Sequence, residues 1–363
     1  MRCHLVLVAF LLSSALARAG IYPPVSEETV RIPGLVNKSS FVCKGEVTSA
    51  PQVRRIAGPL PRMTGIATVR IDRCFKGSLE GSIPLAADEY RPSVGVGAGH
   101  VFTPQVGEYL LLFLKKKDEL YELADQDRGA LPVSTQVSAN AESSDPTTNL
   151  EDDFKAGLSD PDPEMVLKSI CWLGGLGHLR STAELRSLLD KADPIEKTYL
   201  WEALLRVGDL SVVQDVADYL GQHPPVWRPT FLPRDRLLFM QGRVFYALCA
   251  LRDPAVLPSL ERFTESPDPH IRVSALMSLR AIGSLTSAPV FLRALDDHQL
   301  DSDFVAMQSL LELAGAGPIE WVPTWKEFGA APQYYAAMCR EWWRAEGQKK
   351  AAARAGEATT RQH

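Results

Sequence analysis

The sequence predicts a multidomain chain, all-β and then all-α: a small antiparallel β-barrel followed by an α-α superhelix of repeated helix pairs. Three observations predict it. Up to about residue 133, short apolar segments alternate with polar residues at a period of two. Beyond about residue 150 the apolar period becomes helical. An Asp-Pro dipeptide recurs at the start of the helical segments, and its first two instances, Asp162-Pro163 and Asp193-Pro194, lie 31 residues apart, a helix-pair period.

The chain opens on MRCHLVLVAFLLSSALARAG. Arg2 gives a positive n-region, Leu5 to Leu16 an apolar stretch of signal-peptide length, and Ala17-Arg18-Ala19 a small-x-small cleavage pattern. Residues 1–19 therefore read as a signal peptide cut between Ala19 and Gly20. The run is short for a membrane span of about 20 residues, and Gly20 stands where a lipoprotein would carry cysteine. No later stretch is apolar enough to cross a bilayer, so the expected location is secreted or periplasmic, without a membrane span in the mature chain.

Residues 20–133 carry the strands. Phe41 to Val47 alternates in part and Ala67 to Arg73 fully. Leu79 to Leu85 is a third short strand. Tyr109 to Leu114 is a continuous apolar run before Lys115, Lys116 and Lys117, and Leu120 to Leu123 follows a tight turn. Five short strands separated by Gly and Pro suggest a barrel or sandwich. Residues 134–155, rich at first in Ser, Thr, Asn and Ala, read as a linker.

Residues 156–347 read as helix pairs with a C-terminal cap. In the segment 266–284, Asp268 is a good N-cap and Pro269 suits the first helical position. Ala275, Leu276, Leu279 and Ile282 share a face, and Gly283 ends the helix. Asp162-Pro163 and Asp193-Pro194 open similar helices. Ser181 with Glu184, and Ser211 with Gln214, suggest caps for the following helices. Amphipathic pairs bury their apolar faces only by stacking into a shared core. Trp321, Trp325, Trp342 and Trp343 crowd the end as a seal, and residues 348–363, rich in Ala and charge, read as a disordered tail.

These features carry two resemblances. Units 160–190, 193–221 and 266–296, with Asp-Pro starts and Val-x-x-Ala-like inner helices, resemble HEAT (armadillo-like) repeats of the bacterial type. That resemblance implies a surface presented to protein partners. Phe41 to Val47, VRIDRCFKG at 69–77 and GEYLLLFL at 107–114 resemble the OB-type barrel of tissue inhibitors of metalloproteinases and netrin modules. Such inhibitors use a mature N-terminal cysteine on the protease zinc. Here the mature start is Gly20, so the resemblance implies the fold alone.

The chemistry points away from catalysis. Hydrophobic residues are 45% and charged residues 23% of 363, and the net charge of −5 with a pI near 5.9 argues against a nucleic-acid binder. There is no G-x-S-x-G elbow and no H-E-x-x-H. The seven histidines are scattered: His4, His100, His178, His223, His270, His298 and His363. Gly95 to His100 reads as a crossover loop, since Val101 to Pro104 does not start a helix. Asp296 to Asp303 reads as an inter-helix loop lacking the glycine and terminal Glu of an EF-hand. No CxxC pair supports zinc. With Cys3 in the signal, five cysteines remain; Cys43 and Cys74, in neighbouring strands, are a candidate disulfide, while Cys171 and Cys249 read as core.

The proline-rich insertion His223 to Pro233 holds Trp227, Arg228 and Phe231, side chains typical of interface hot spots, and insertions in repeat arrays map to loops on the binding face. The expectation is a non-enzymatic protein-protein interaction protein, without cofactor, metal or nucleic acid. The alternatives are a hydrolase site assembled near His100 at the junction of barrel and helices, and an OB-type oligonucleotide or sugar binder.

Overall fold

The computed structural model describes residues 31–56, 62–89, 104–125, 128–138, 143–177, 179–225, 236–315 and 321–360. The described residues divide into two compact units, one up to residue 207 and the other from residue 208. The division falls inside the stretch 156–347 and not in the segment 134–155.

The first unit begins with α1 (Ile32–Lys38) and then β1 (Phe41–Ile56), β2 (Arg62–Lys76), β3 (Gly81–Glu89), β4 (Tyr109–Lys117), β5 (Leu120–Leu123) and β6 (Ala130–Pro132). The order β1-β2-β3-β5-β4 returns to β1, which closes a five-stranded OB-like barrel, and β6 adds to β4. All these pairings are antiparallel except β3 with β5, which is parallel (Leu85 opposite Tyr121). The barrel is therefore mixed and not antiparallel throughout: β5, reached after the β4 turn, meets β3 head to head. Cys43, Val47, Val69, Ile71, Ile83, Leu85, Leu110, Leu112 and Leu114 fill the interior. Glycine is required at position 45, because a Cβ there would lie 2.3 Å from the Arg70 carbonyl oxygen on β2. Cys43 and Cys74 are opposite each other on β1 and β2, joined by a disulfide.

Among the described residues this unit continues with the α-helices α2 (Pro146–Gly157), α3 (Pro163–Leu176), α4 (Thr182–Leu189) and α5 (Pro194–Arg206). α2 lies in the segment expected as linker. Asp145 caps it by accepting from the N–H groups of Thr147 and Thr148, Pro146 takes the first helical position, and Leu150 and Phe154 are buried. Asp162 caps α3, and Asp193 forms a capping box with Glu196 on α5. The Ser181–Glu184 box does not form: Ser181 donates to Glu151, and Glu184 pairs with Lys155 at 2.8 Å. α3 and α5 approach closely at Gly174, where a Cβ would lie 2.8 Å from Ala203 Cα.

The second unit holds α6 (Val213–Gln222), α7 (Arg236–Ala250), α8 (Leu257–Phe263), α9 (Pro269–Ile282), α10 (Ala288–Ala294), α11 (Leu300–Leu313), α12 (Trp325–Ala330), α13 (Pro332–Trp342) and α14 (Gln348–Thr360). Asp268 caps α9, and Gly283 closes it in the left-handed conformation with φ 71°. Before α6 the cap is Asp209, which accepts from both N–H and hydroxyl of Ser211, while Gln214 turns to Asp218. Of the segment Asp296 to Asp303, expected as a loop, Leu300 to Asp303 already belong to α11.

The aromatic end is a packed cluster. Phe304 meets Trp325 and Phe328 edge-on at 4.9 and 5.3 Å, and Trp321 meets Trp342 at 6.0 Å. A π-helical turn, Trp343–Gly347, links α13 to α14. The stretch 348–363, expected to be disordered, instead forms α14 through Thr360. Ala351 is buried, and Arg354 Nη1 donates at 2.6 Å to the Glu312 carbonyl, which also accepts from the Gly315 N–H at 3.0 Å, so a cation sits at the C-terminal end of α11.

Candidate functional site

The root of the insertion after α6 is ordered by its own sequence. The His223 N–H donates to the Tyr219 carbonyl at 2.9 Å and closes α6, while the His223 ring stacks on Tyr219 at 4.6 Å. The Tyr219 hydroxyl accepts from Gln241 Nε2 at 3.1 Å, which ties α6 to α7. On the same helix Asp218 accepts from Gln214 Nε2 at 2.9 Å and pairs with Arg262 of α8 at 2.8 Å. The hydrogen bond from Gln214, and then that from Arg262, hold the Asp218 carboxyl below the usual range. The surface beside the root is thus polar and charge-paired. Trp227, Arg228 and Phe231 lie outside the described residues, as do Ala19, Gly20 and the glycine loop with His100.

The most unusual chemistry in the first unit was not anticipated. Lys44 Nζ lies 2.7 Å from Asp153 Oδ2, and the two side chains are 1% and 3% exposed. Lys44 also donates to the Gln136 carbonyl at 2.9 Å and sits 5.4 Å from the Tyr109 ring centroid. Lys44 pairs across the ladder with Leu111, while its neighbour Cys43 faces the barrel interior. The lysine is thus on the barrel's outer face, beneath α2. Burial pushes the Lys44 ammonium down and the Asp153 carboxyl up, and their mutual attraction opposes both shifts. Burial also raises the Tyr109 phenol, as does a hydrogen bond to Asp72. Asp153 Oδ1 has no hydrogen-bond partner among the described residues. A pair this enclosed anchors α2 to the barrel.

Among the described residues the remaining candidates make no metal site. His270 stands in the first turn of α9, and His298 occupies the left-handed region with φ 55° between α10 and α11. Among the described residues no group of three or more His, Cys, Asp or Glu side chains is arranged to hold a metal ion, and no helix is long and apolar enough to cross a membrane. Cys249 and Cys339 are buried, with thiols pushed up to about 12 by burial. A cavity of about 370 Å³ lies among α9, α11 and α14, bordered by Arg280, Glu312 and Arg354. Its charges already answer one another: Arg280 pairs with Glu312, and Arg354 is held by the Glu312 backbone.

Lys44 was overlooked because a strand lysine normally points to water. Asp153 was overlooked because its segment read as linker. The signal available was Asp145-Pro146, the same opening dipeptide as in the later helices, followed by Leu150 and Phe154 at helical spacing. No protein-family model matches the chain, and no curated protein matches it in sequence.

Proposed function

We propose that this chain is a secreted or periplasmic protein that binds a protein partner and performs no catalysis. In this reading the helices form HEAT-like pairs and the barrel is a fixed accessory module. The observation that carries it is the repeated unit: Asp162, Asp193 and Asp268 each cap a helix with proline at its first position. Those helices bury Leu167, Ile170 and Leu173, or Leu200, Ala203 and Leu204, or Ala275, Leu276 and Leu279, along one face. Units that bury one face on their neighbours leave their outer faces and inserted loops for recognition. The signal-like first 19 residues support export, and the Cys43–Cys74 bond suits an oxidising compartment.

The inserted loop 223–233 is the proposed contact, because Trp227, Arg228 and Phe231 concentrate on it the residue types that dominate interface energy. Crosslinking of the mature chain in envelope or secreted extract is expected to capture a defined partner. Replacing Trp227, Arg228 and Phe231 together with alanine is expected to reduce capture at least tenfold. Unchanged capture by the triple variant would remove the loop from the site.

A second reading has one observation in its favour. Lys115, Lys116 and Lys117 are exposed at the end of β4, and OB-like barrels bind oligonucleotides or sugars. Lys117 is paired with Glu122 at 2.9 Å, which lowers the net charge of the patch. Salt-sensitive retention on a polyanion column would favour this reading.

A further inference from the structure

We propose that the corner between α10 and α11 is a pH-responsive joint, tighter in mildly acidic surroundings than at neutral pH. Its centre is Asp303, in the first turns of α11. The side chain is 3% exposed, forms no ion pair, and its Oδ1 has no hydrogen-bond partner among the described residues. The hydroxyl of the adjacent Ser302, fully buried, likewise lacks one. A buried carboxylate with an unmatched oxygen is costly in its charged form, whereas the neutral acid is far less so.

Among the described residues no cation pairs directly with this carboxyl. From the connecting loop come Asp296, Asp297 and His298, and from α11 itself Asp301. α9 contributes His270 and Arg272, and Arg272 Nε is committed to Asp297 Oδ2 at 2.8 Å while its Nη1 donates to the Ser266 carbonyl at 2.7 Å. α13 contributes Arg340, which is paired with Asp296. Glu327 of α12 is engaged by its own N-cap, Thr324. Both arginines are therefore spent on the loop carboxylates, and Asp303 remains beside the charge of Asp297.

Burial first, and the Asp297 charge second, push the Asp303 carboxyl up to about 6, against the pull of His298, the Gln299 N–H and Arg340. Burial raises Asp301 as well. A carboxyl raised in the folded state favours the folded state when protonated. Its contribution is complete below the unfolded value of about 4 and is lost as pH rises through about 6. The window of change is thus roughly pH 4 to 7, and acid tightens the corner.

Hydrogen–deuterium exchange of the full chain, read on peptides spanning residues 297–313 and corrected for intrinsic exchange, tests this. Protection in the wild type is expected to be about tenfold higher at pH 5.0 than at pH 7.5. Asp303→Asn is expected to show acid-like protection at both values. Asp297→Asn, which removes the neighbouring charge, is expected to shrink the difference and serves if the first variant does not fold. Equal wild-type protection at the two pH values would overturn the proposal. So would a pH dependence that survives Asp303→Asn, since it would belong to another group.

Discussion

Lys44→Met is expected to destabilise the first unit by about 3–5 kcal/mol, the usual consequence of leaving one member of a buried ion pair alone. Protection of the β1 and β4 amides in native-state hydrogen exchange would report the loss. Lys44 and Asp153 are 1% and 3% exposed, so neither charge can turn to water when its partner is removed. The pH dependence then separates the two halves of the pair. In Lys44→Met the remaining carboxyl is raised by burial, so stability should recover as pH falls and the acid takes up a proton. In Asp153→Leu the remaining ammonium is lowered by burial, so recovery should come as pH rises. The double variant Lys44→Met/Asp153→Leu should lie within about 1–2 kcal/mol of wild type, because both desolvation costs disappear with the attraction. A double variant whose loss equals the sum of the two single losses would mean that the pair is not coupled.

Phe304→Ala should cost the second unit about 3–5 kcal/mol, the range for removing a buried aromatic and leaving a cavity. Phe304 is 3% exposed and joins the α11 core to both Trp325 and Phe328, and the stacked Phe328–Tyr335 pair extends that contact to α13. A fall in urea midpoint with an unchanged m value would mark a pure stability loss. A loss below about 1 kcal/mol would mean that the aromatic cluster is peripheral and does not seal the array.

The barrel and the helix pairs were legible because each rests on local signals. Alternation in Ala67–Arg73, Asp-Pro starts and terminal glycines depend only on backbone geometry and neighbouring residues. Closure of the strands was also anticipated, but the parallel β3–β5 contact was not, since strand direction follows from the path of the connections. The linker and the tail failed for a shared reason. In both, polar composition masks a helical period: polar residues precede α2, and charge is spread along α14. Ser181 and Ser211 show the limit of cap motifs: each meets a nearby carboxylate (Glu151 and Asp209) and gives up the predicted role. The unbroken apolar run Tyr109–Leu114 carries a further signal. A strand buried on one side should alternate, and an unbroken run implies a covered outer face. A lysine opposite such a face must find an anion.

The reach of the Lys44–Asp153 contact also sets an order of assembly. The two residues are 109 positions apart, and the barrel closes only when Phe41 meets Leu114. Helix partners in the second unit lie much nearer in sequence; Arg272 and Asp297, for example, are 25 apart. Distant pairings bear a larger chain-closure entropy and form more slowly. Helices of the second unit should therefore mature early, while a nascent chain must lengthen past Asp153 before the lysine on its first strand meets a counter-charge. The module that leaves the ribosome first is the one that finishes last, and a chain arrested near residue 133 would hold all its strands yet lack the ion that lets its outer face close.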